Sequence, residues 1–163
     1  MCLDHVKNNM GPEDVCPALD YTVTTGEDGG VTDHATEVIR RSSSSVLFSN
    51  TFKTSSQSVV GYVLDNVRYV SENSVLEALH AWGLHQCCHR EPSGGQALTV
   101  RSVVSCFLPK IRFLTLTPME FIHGPSLHGL LSDSEALALL CNIIQDGSIP
   151  MPDGFSRIRS FRM

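Results

Sequence analysis

At Thr117-Pro118-Met119-Glu120 and at Ser132-Asp133-Ser134-Glu135 a hydroxyl residue is followed three positions later by glutamate, close ahead of an apolar run. That spacing is a capping box. The hydroxyl accepts a backbone N–H from the first helical turn, and the glutamate reaches back to the N–H of the hydroxyl residue. The first four N–H groups of a helix have no partner inside it, so a chain that repeatedly supplies partners at this spacing is committed to helices. Pro118 suits the first helical position, where its missing N–H costs nothing. Leu116 and Phe121 are placed as a hydrophobic staple. The second box opens a helix with Ala136, Leu139, Leu140, Ile143 and Ile144 on one face, ended by Gly147.

Other starts follow the same logic. Thr54-x-x-Gln57 predicts a helix with Val59, Val60, Val63, Leu64 and Val67 on one side. Ser71 is placed to cap the next, with Val70 and Val75 as its staple and Val75, Leu79 and Trp82 at i, i+4, i+7. Leu98 to Leu108 repeats the pattern through Val100, Val103, Val104 and Phe107. Gly11-Pro12-Glu13-Asp14 puts proline and two acids in a first turn, where the acids complement the helix dipole. Val15, Leu19 and Val23 form the stripe behind it, and Pro17 is expected to kink this helix or confine it to a short piece. Residues 26–30, 42–45 and 91–95 read as breaks. Pro150, Pro152 and Gly154 forbid a long helix beyond Gly147, so the tail is expected to be extended. No segment alternates with period two between hairpin turns. The expected fold class is all-α, an antiparallel helix bundle or a short helical solenoid.

Composition narrows the function. A length of 163 residues fits one domain or a compact array of short helices, and 42% hydrophobic content supplies a core. Charged residues make up only 18% and the net charge is −5, which gives no footprint for nucleic acid or an anionic membrane. Arg157, Arg159 and Arg162 near the end read as a solvated tail. No apolar run approaches the roughly 20 residues that span a bilayer. The first residues lack the basic and apolar regions of a secretory signal. Cys2, Cys16, Cys87, Cys88, Cys106 and Cys141 are scattered, as expected of reduced thiols in a cytoplasmic or nuclear protein.

Chemistry-bearing clusters are few. His85, Cys87, Cys88 and His89 resemble a metal site in composition only. Zinc sites use Cys-x₂₋₄-Cys pairs, and adjacent cysteines on a helix point about 100° apart. No metal and no cofactor are expected. His123 and His128 flank Gly124-Pro125 and read as a loop. No oxyanion-hole loop or nucleophile elbow is present, so a Cys–His hydrolase is a distant reading. Gly26-Glu27-Asp28-Gly29-Gly30 carries acids that repel phosphate and does not match a P-loop. Trp82 lies on an apolar face and reads as a core anchor. Arg40-Arg41-Ser42-Ser43 matches a basophilic kinase site, where a phosphate on Ser43 would sit beside two arginines. The simpler reading is a solvated serine-rich break, because short motifs match by chance often.

Several segments resemble one family in order. Ser71-Glu72-Asn73-Ser74-Val75-Leu76-Glu77-Ala78-Leu79-His80-Ala81-Trp82 resembles the S-E-x-x-V-x-x-A-x-x-x-W helix of the BACK domain. That domain follows the BTB (POZ) domain in substrate adaptors of cullin–RING ubiquitin ligases. Leu108-Pro109-Lys110-Ile111-Arg112-Phe113 resembles its L-L-P-x-I-R-F segment, and Leu116 to Phe121 the following helix with Glu120 and Phe121. Asn8 to Tyr21 is similar to the 3-box that links BTB to BACK. The resemblance covers roughly residues 1–145. It implies 3-box-like and last BTB helices over residues 1–48, a BACK-like domain over 49–146 and an extended tail over 147–163.

What the resemblance implies is a scaffold, not an enzyme. Its partners would be proteins: a cullin, the family's third member, and an unknown substrate. The cullin side would be Pro12, Glu13, Val15, Leu19 and Tyr21. Ser71, Glu72, Val75, Ala78, Trp82, Pro109, Arg112, Phe113, Glu120 and Phe121 would be structural. The chain departs from the family pattern at Pro17 and at residues 26–30, and neither the strand-rich part of BTB nor Kelch repeats appear. The expectation is a fragment, isoform or trimmed relative that begins near the last BTB helices. A free-standing helical scaffold, or a truncated competitor without cullin binding, is the alternative.

Overall fold

The computed structural model describes residues 9–89, 98–124 and 129–163. Cys2, Asn8, the break at 91–95, Pro125 and His128 lie outside the described residues. Among those described there are nine α-helices and no strand, so the fold is an all-α helical bundle. The chain divides into two compact units. One runs to Val70 and includes Arg162 and Met163; the other spans Ser71–Phe161. The division falls after Val70, and the helices over residues 50–66 pack on the first two helices.

The first unit contains α1 (Val15–Thr25), α2 (Val31–Arg41), α3 (Ser43–Leu47), α4 (Asn50–Thr54) and α5 (Gln57–Asn66). Pro17 does not interrupt α1, which runs for 11 residues. Pro17 is its third residue, where the N–H has no helical partner to lose. Pro12 to Asp14 form a turn ahead of the helix. The Asp14 carboxylate accepts the Gly11 N–H at 2.9 Å instead of capping α1. Val15 and Leu19 are buried, but Val23 is 61% exposed, so the stripe ends after one turn. Gly26 closes α1 at φ 73°, its N–H on the Thr22 carbonyl; such left-handed backbone favours glycine.

The start of α5 differs in detail from the expected Thr54-x-x-Gln57. Ser56 is the cap, accepting from the Val59 N–H, and Thr54 ends α4. The apolar side is as expected: Val59, Val60, Val63, Leu64 and Val67 are all buried. The arginines near the end are not all solvated. Arg162 is buried and donates from Nη1 to the Leu64 carbonyl at 2.6 Å, an acceptor in the last turn of α5.

The second unit opens with α6 (Glu72–His89), where Ser71 Oγ accepts the Ser74 N–H at 3.1 Å. Val75, Leu79 and Trp82 are fully buried along one face. A Cβ on Gly83 would stand 2.8 Å from Val100 and 2.9 Å from Val104 Cγ1, so glycine permits the close approach of α7 (Val100–Val104). The expected helix from Leu98 to Leu108 is only α7, followed by a 3-10 segment over Ser105–Lys110. Pro109 is the cause: it lacks an N–H and its ring crowds the carbonyl four residues back. Thr99, with Ser102, forms a third capping box.

Both expected capping boxes are present, on α8 (Pro118–His123) and α9 (Asp133–Ile144). The buried face of α9 is rotated from the expected one. Ala138, Leu139 and Asn142 are buried, whereas Ile144 is 68% exposed. The helix ends at Ile144, with Gly147 in the turn beyond it. Asn142 explains the rotation. Its amide donates to the Ala138 and Ile149 carbonyls, and its oxygen accepts the Gly147 N–H, so it pins the turn after α9. No helix follows residue 144, as expected for the tail.

Candidate functional site

The residues assigned to a cullin face divide by burial. Glu13 and Tyr21 are exposed and Pro12 is half-buried. Val15 and Leu19 lie in the core of the first unit at 0% and 3% exposure, so they are not contact residues in this fold. Their i, i+4 spacing is equally that of a core stripe, and the α4 and α5 contacts with α1 claim that face. What α1 presents outward is therefore Pro17, Tyr21, Val23 and the threonines of its last turn. Tyr21 Oη donates to Glu27 at 3.3 Å.

The residues named from the BACK resemblance lie in the second unit, and several meet. Glu72, 4% exposed, accepts the Arg112 backbone N–H through its carboxylate at 2.8 Å. The Arg112 guanidinium donates to the carbonyls of Ser160 and Phe161, each at 2.9 Å, and so holds the tail. Trp82 meets Phe107 edge-on at 5.5 Å between ring centres. Phe113 meets Phe121 edge-on at 6.4 Å and Phe155 at 5.6 Å. Val75, Ala78, Trp82, Phe113 and Phe121 are buried. Ser71 and Glu120 cap helices, and Pro109 is exposed within its 3-10 segment.

The thiols and imidazoles carry little chemistry. Cys16, Cys87, Cys88, Cys106 and Cys141 form no disulfide among the described residues. Burial pushes the Cys16 thiol up to about 11 despite an opposing hydrogen bond with Ser55, and burial also raises Cys87 and Cys106. Raised thiols are poor nucleophiles at neutral pH. The rings of His85 and His89 stack at 4.0 Å between centres, and His89 Nδ1 lies 2.8 Å from the His85 carbonyl. Among the described residues no three metal-ligating side chains converge.

Ser43 is not solvated, contrary to the sequence reading. It is 5% exposed, donates to the Ile39 carbonyl at 2.7 Å and accepts the Arg68 N–H at 2.8 Å. The serine run hid this, because four adjacent serines give no pattern by which to tell a buried one.

Sequence reasoning also missed Asn142 and Arg159. Arg159 Nη2 donates to the Asn142 carbonyl at 2.8 Å and to Asp146 at 2.6 Å. A polar residue among apolar ones on α9, five residues ahead of Gly147, is the signal that marks such a turn.

No protein-family model, curated protein or solved structure matches this chain. Among the described residues, no helix is long and apolar enough to cross a membrane.

Proposed function

We propose that the chain is a BACK-like helical interaction scaffold of a substrate adaptor for a cullin–RING ubiquitin ligase, acting in the cytoplasm by contact and not by catalysis. The observation that carries this reading is the bond from the Arg112 N–H to the buried Glu72 carboxylate. It ties together two of the segments that resemble the family.

The scaffold would hold a substrate-recruiting part at a fixed distance from the cullin. On α1, Glu13 and Tyr21 are the side chains placed to add cullin contact. They are too few to fill the roughly 1,000 Å² that a specific interface needs, so a BTB surface must supply the rest. Retrieval of the third cullin by the chain together with a BTB domain tests this. Retrieval weakened to the level of the BTB domain alone on combining Tyr21→Ala with Glu13→Lys supports the adaptor reading. Retrieval indifferent to both the chain and the two substitutions contradicts it.

A second reading is a free-standing helical scaffold, or a truncated competitor, without cullin binding. The burial of Val15 and Leu19 favours it, because the apolar part of the implied groove is spent on the chain's own core.

A further inference from the structure

The second unit contains a cleft of about 540 Å³ that none of the motif residues lines. Its size falls in the roughly 300–1,000 Å³ range of small-ligand sites. Leu114, Ile149, Pro150 and Met151 supply an apolar lining. Asn142, Asp146, Arg157 and Arg159 supply the polar one.

The polar groups are unequal. Asn142 is 1% exposed, and both its amide N–H groups and its oxygen are engaged within the turn. Arg159 is held by the Asn142 carbonyl and the Asp146 carboxylate. Arg157 is exposed, lines the same cleft, and among the described residues has no hydrogen-bond or ion-pair partner. One guanidinium is therefore unpaired among the lining residues, while Asn142 and Arg159 are engaged.

We propose that this cleft binds a carboxylate carried beside an apolar arm. A guanidinium fork matches a planar carboxylate with two parallel hydrogen bonds. The arm would cover Leu114, Ile149 and Met151. The charges favour a monoanion: Arg157 and Arg159 against Asp146 leave a net of one positive charge, and Asp146 repels a phosphate dianion. The same chemistry occurs in a free medium-chain acid and in a peptide with glutamate between apolar residues. The site stands whether or not the chain works beside a cullin.

Calorimetric or NMR titration of the full chain tests it with four probes: octanoate, octanamide, acetate and the blocked peptide acetyl-Leu-Glu-Leu-amide. Octanoate is expected to bind more tightly than octanamide and acetate, since each of those lacks one half of the recognition. Arg157→Gln should weaken binding about tenfold, the loss expected for a hydrogen bond to a charged group. Arg41→Gln, an exposed arginine of the first unit, should leave it unchanged. Binding of octanoate alone assigns a free acid, and tighter binding of the peptide assigns an acidic peptide. No binding of either probe, or equal binding by wild type and Arg157→Gln, overturns the proposal.

Discussion

Glu72 and Arg112 stand 40 residues apart in the chain and are joined at 2.8 Å, carboxylate to backbone N–H, inside the second unit. Through its guanidinium Arg112 passes the restraint on to the carbonyls of Ser160 and Phe161. A buried acid at the first turn of α6 thus helps to fix both the segment after α7 and the tail. Glu72→Ala removes the acceptor of a part-buried N–H and is expected to destabilise the protein by about 1–3 kcal/mol. Glu72→Gln, which keeps an oxygen in place, should recover much of that. Urea unfolding of the two variants checks it; equal midpoints for Glu72→Ala and wild type would contradict the bond's importance.

The crossing of α6 and α7 makes a second prediction. Trp82 has no exposed surface and meets Phe107 edge-on, so Trp82→Ala should cost about 3–5 kcal/mol. At Gly83 the added Cβ of alanine meets two branched, stiff valines, and Gly83→Ala should cost about 1–3 kcal/mol by overpacking. Trp82 is the only tryptophan, so its native fluorescence should be blue-shifted and should redden on unfolding. A fully solvated native emission would contradict this packing.

Burial governs Ser43 as a kinase target. A phosphate there would have to replace the bonds to the Ile39 carbonyl and the Arg68 N–H in the core of the first unit. A basophilic kinase should therefore modify Ser43 more slowly in the folded chain than in a peptide spanning residues 37–48. Ser43→Ala should destabilise by about 1–2 kcal/mol. Equal labelling of the folded chain and the peptide would show that the site opens freely.

How much of this was legible in the sequence depends on the physics of each feature. The capping boxes at Thr117 and Ser132 and the Val59–Val63 face could be read, because they are local and depend on spacing alone. Pro17 was misjudged: its effect depends on its position in the first turn, and that boundary is not written in the sequence. The face of α9 was misplaced, because Asn142 is buried for its bonds and not for its polarity. Val15 and Leu19 fitted a contact surface or a core equally well, and only the packing of α4 and α5 decides. Apart from Leu114 and Asn142, the Arg157 cleft is built from tail and turn residues without periodicity, so no pattern announced it.

The capping carboxylates set a pH dependence. Glu120 sits below its ordinary 4.5, held by the Thr117 backbone N–H and hydroxyl. Glu135 is opposed by burial, yet the Ser132 N–H and Arg101 outweigh it and hold the carboxyl low. A carboxyl lowered in the fold stabilises above its unfolded value and loses that contribution as pH falls through its folded one. Stability should therefore decline from about pH 4.5 downward. Glu135→Gln can still cap α9 but cannot titrate, and it loses the charged contact with Arg101 at 2.7 Å. Its decline with acid should be shallower, by about 0.5–1 kcal/mol. Identical acid profiles for the variant and wild type in urea titrations would contradict the assignment.

The most direct measurement of the adaptor reading is calorimetry with the N-terminal domain of the third cullin. Three ligands are compared: the chain alone, a BTB domain alone, and that BTB domain joined to the chain. The chain alone should bind weakly, because Val15 and Leu19 face inward and leave Glu13 and Tyr21 as its contacts. The fusion should bind about tenfold more tightly than the BTB domain, a gain of about 1.4 kcal/mol. Combining Tyr21→Ala with Glu13→Lys should erase that gain without unfolding α1, whereas Val15→Asp would bury a charge and unfold the unit. Equal affinity of the fusion and the BTB domain would contradict the adaptor reading and leave the chain a scaffold without a cullin.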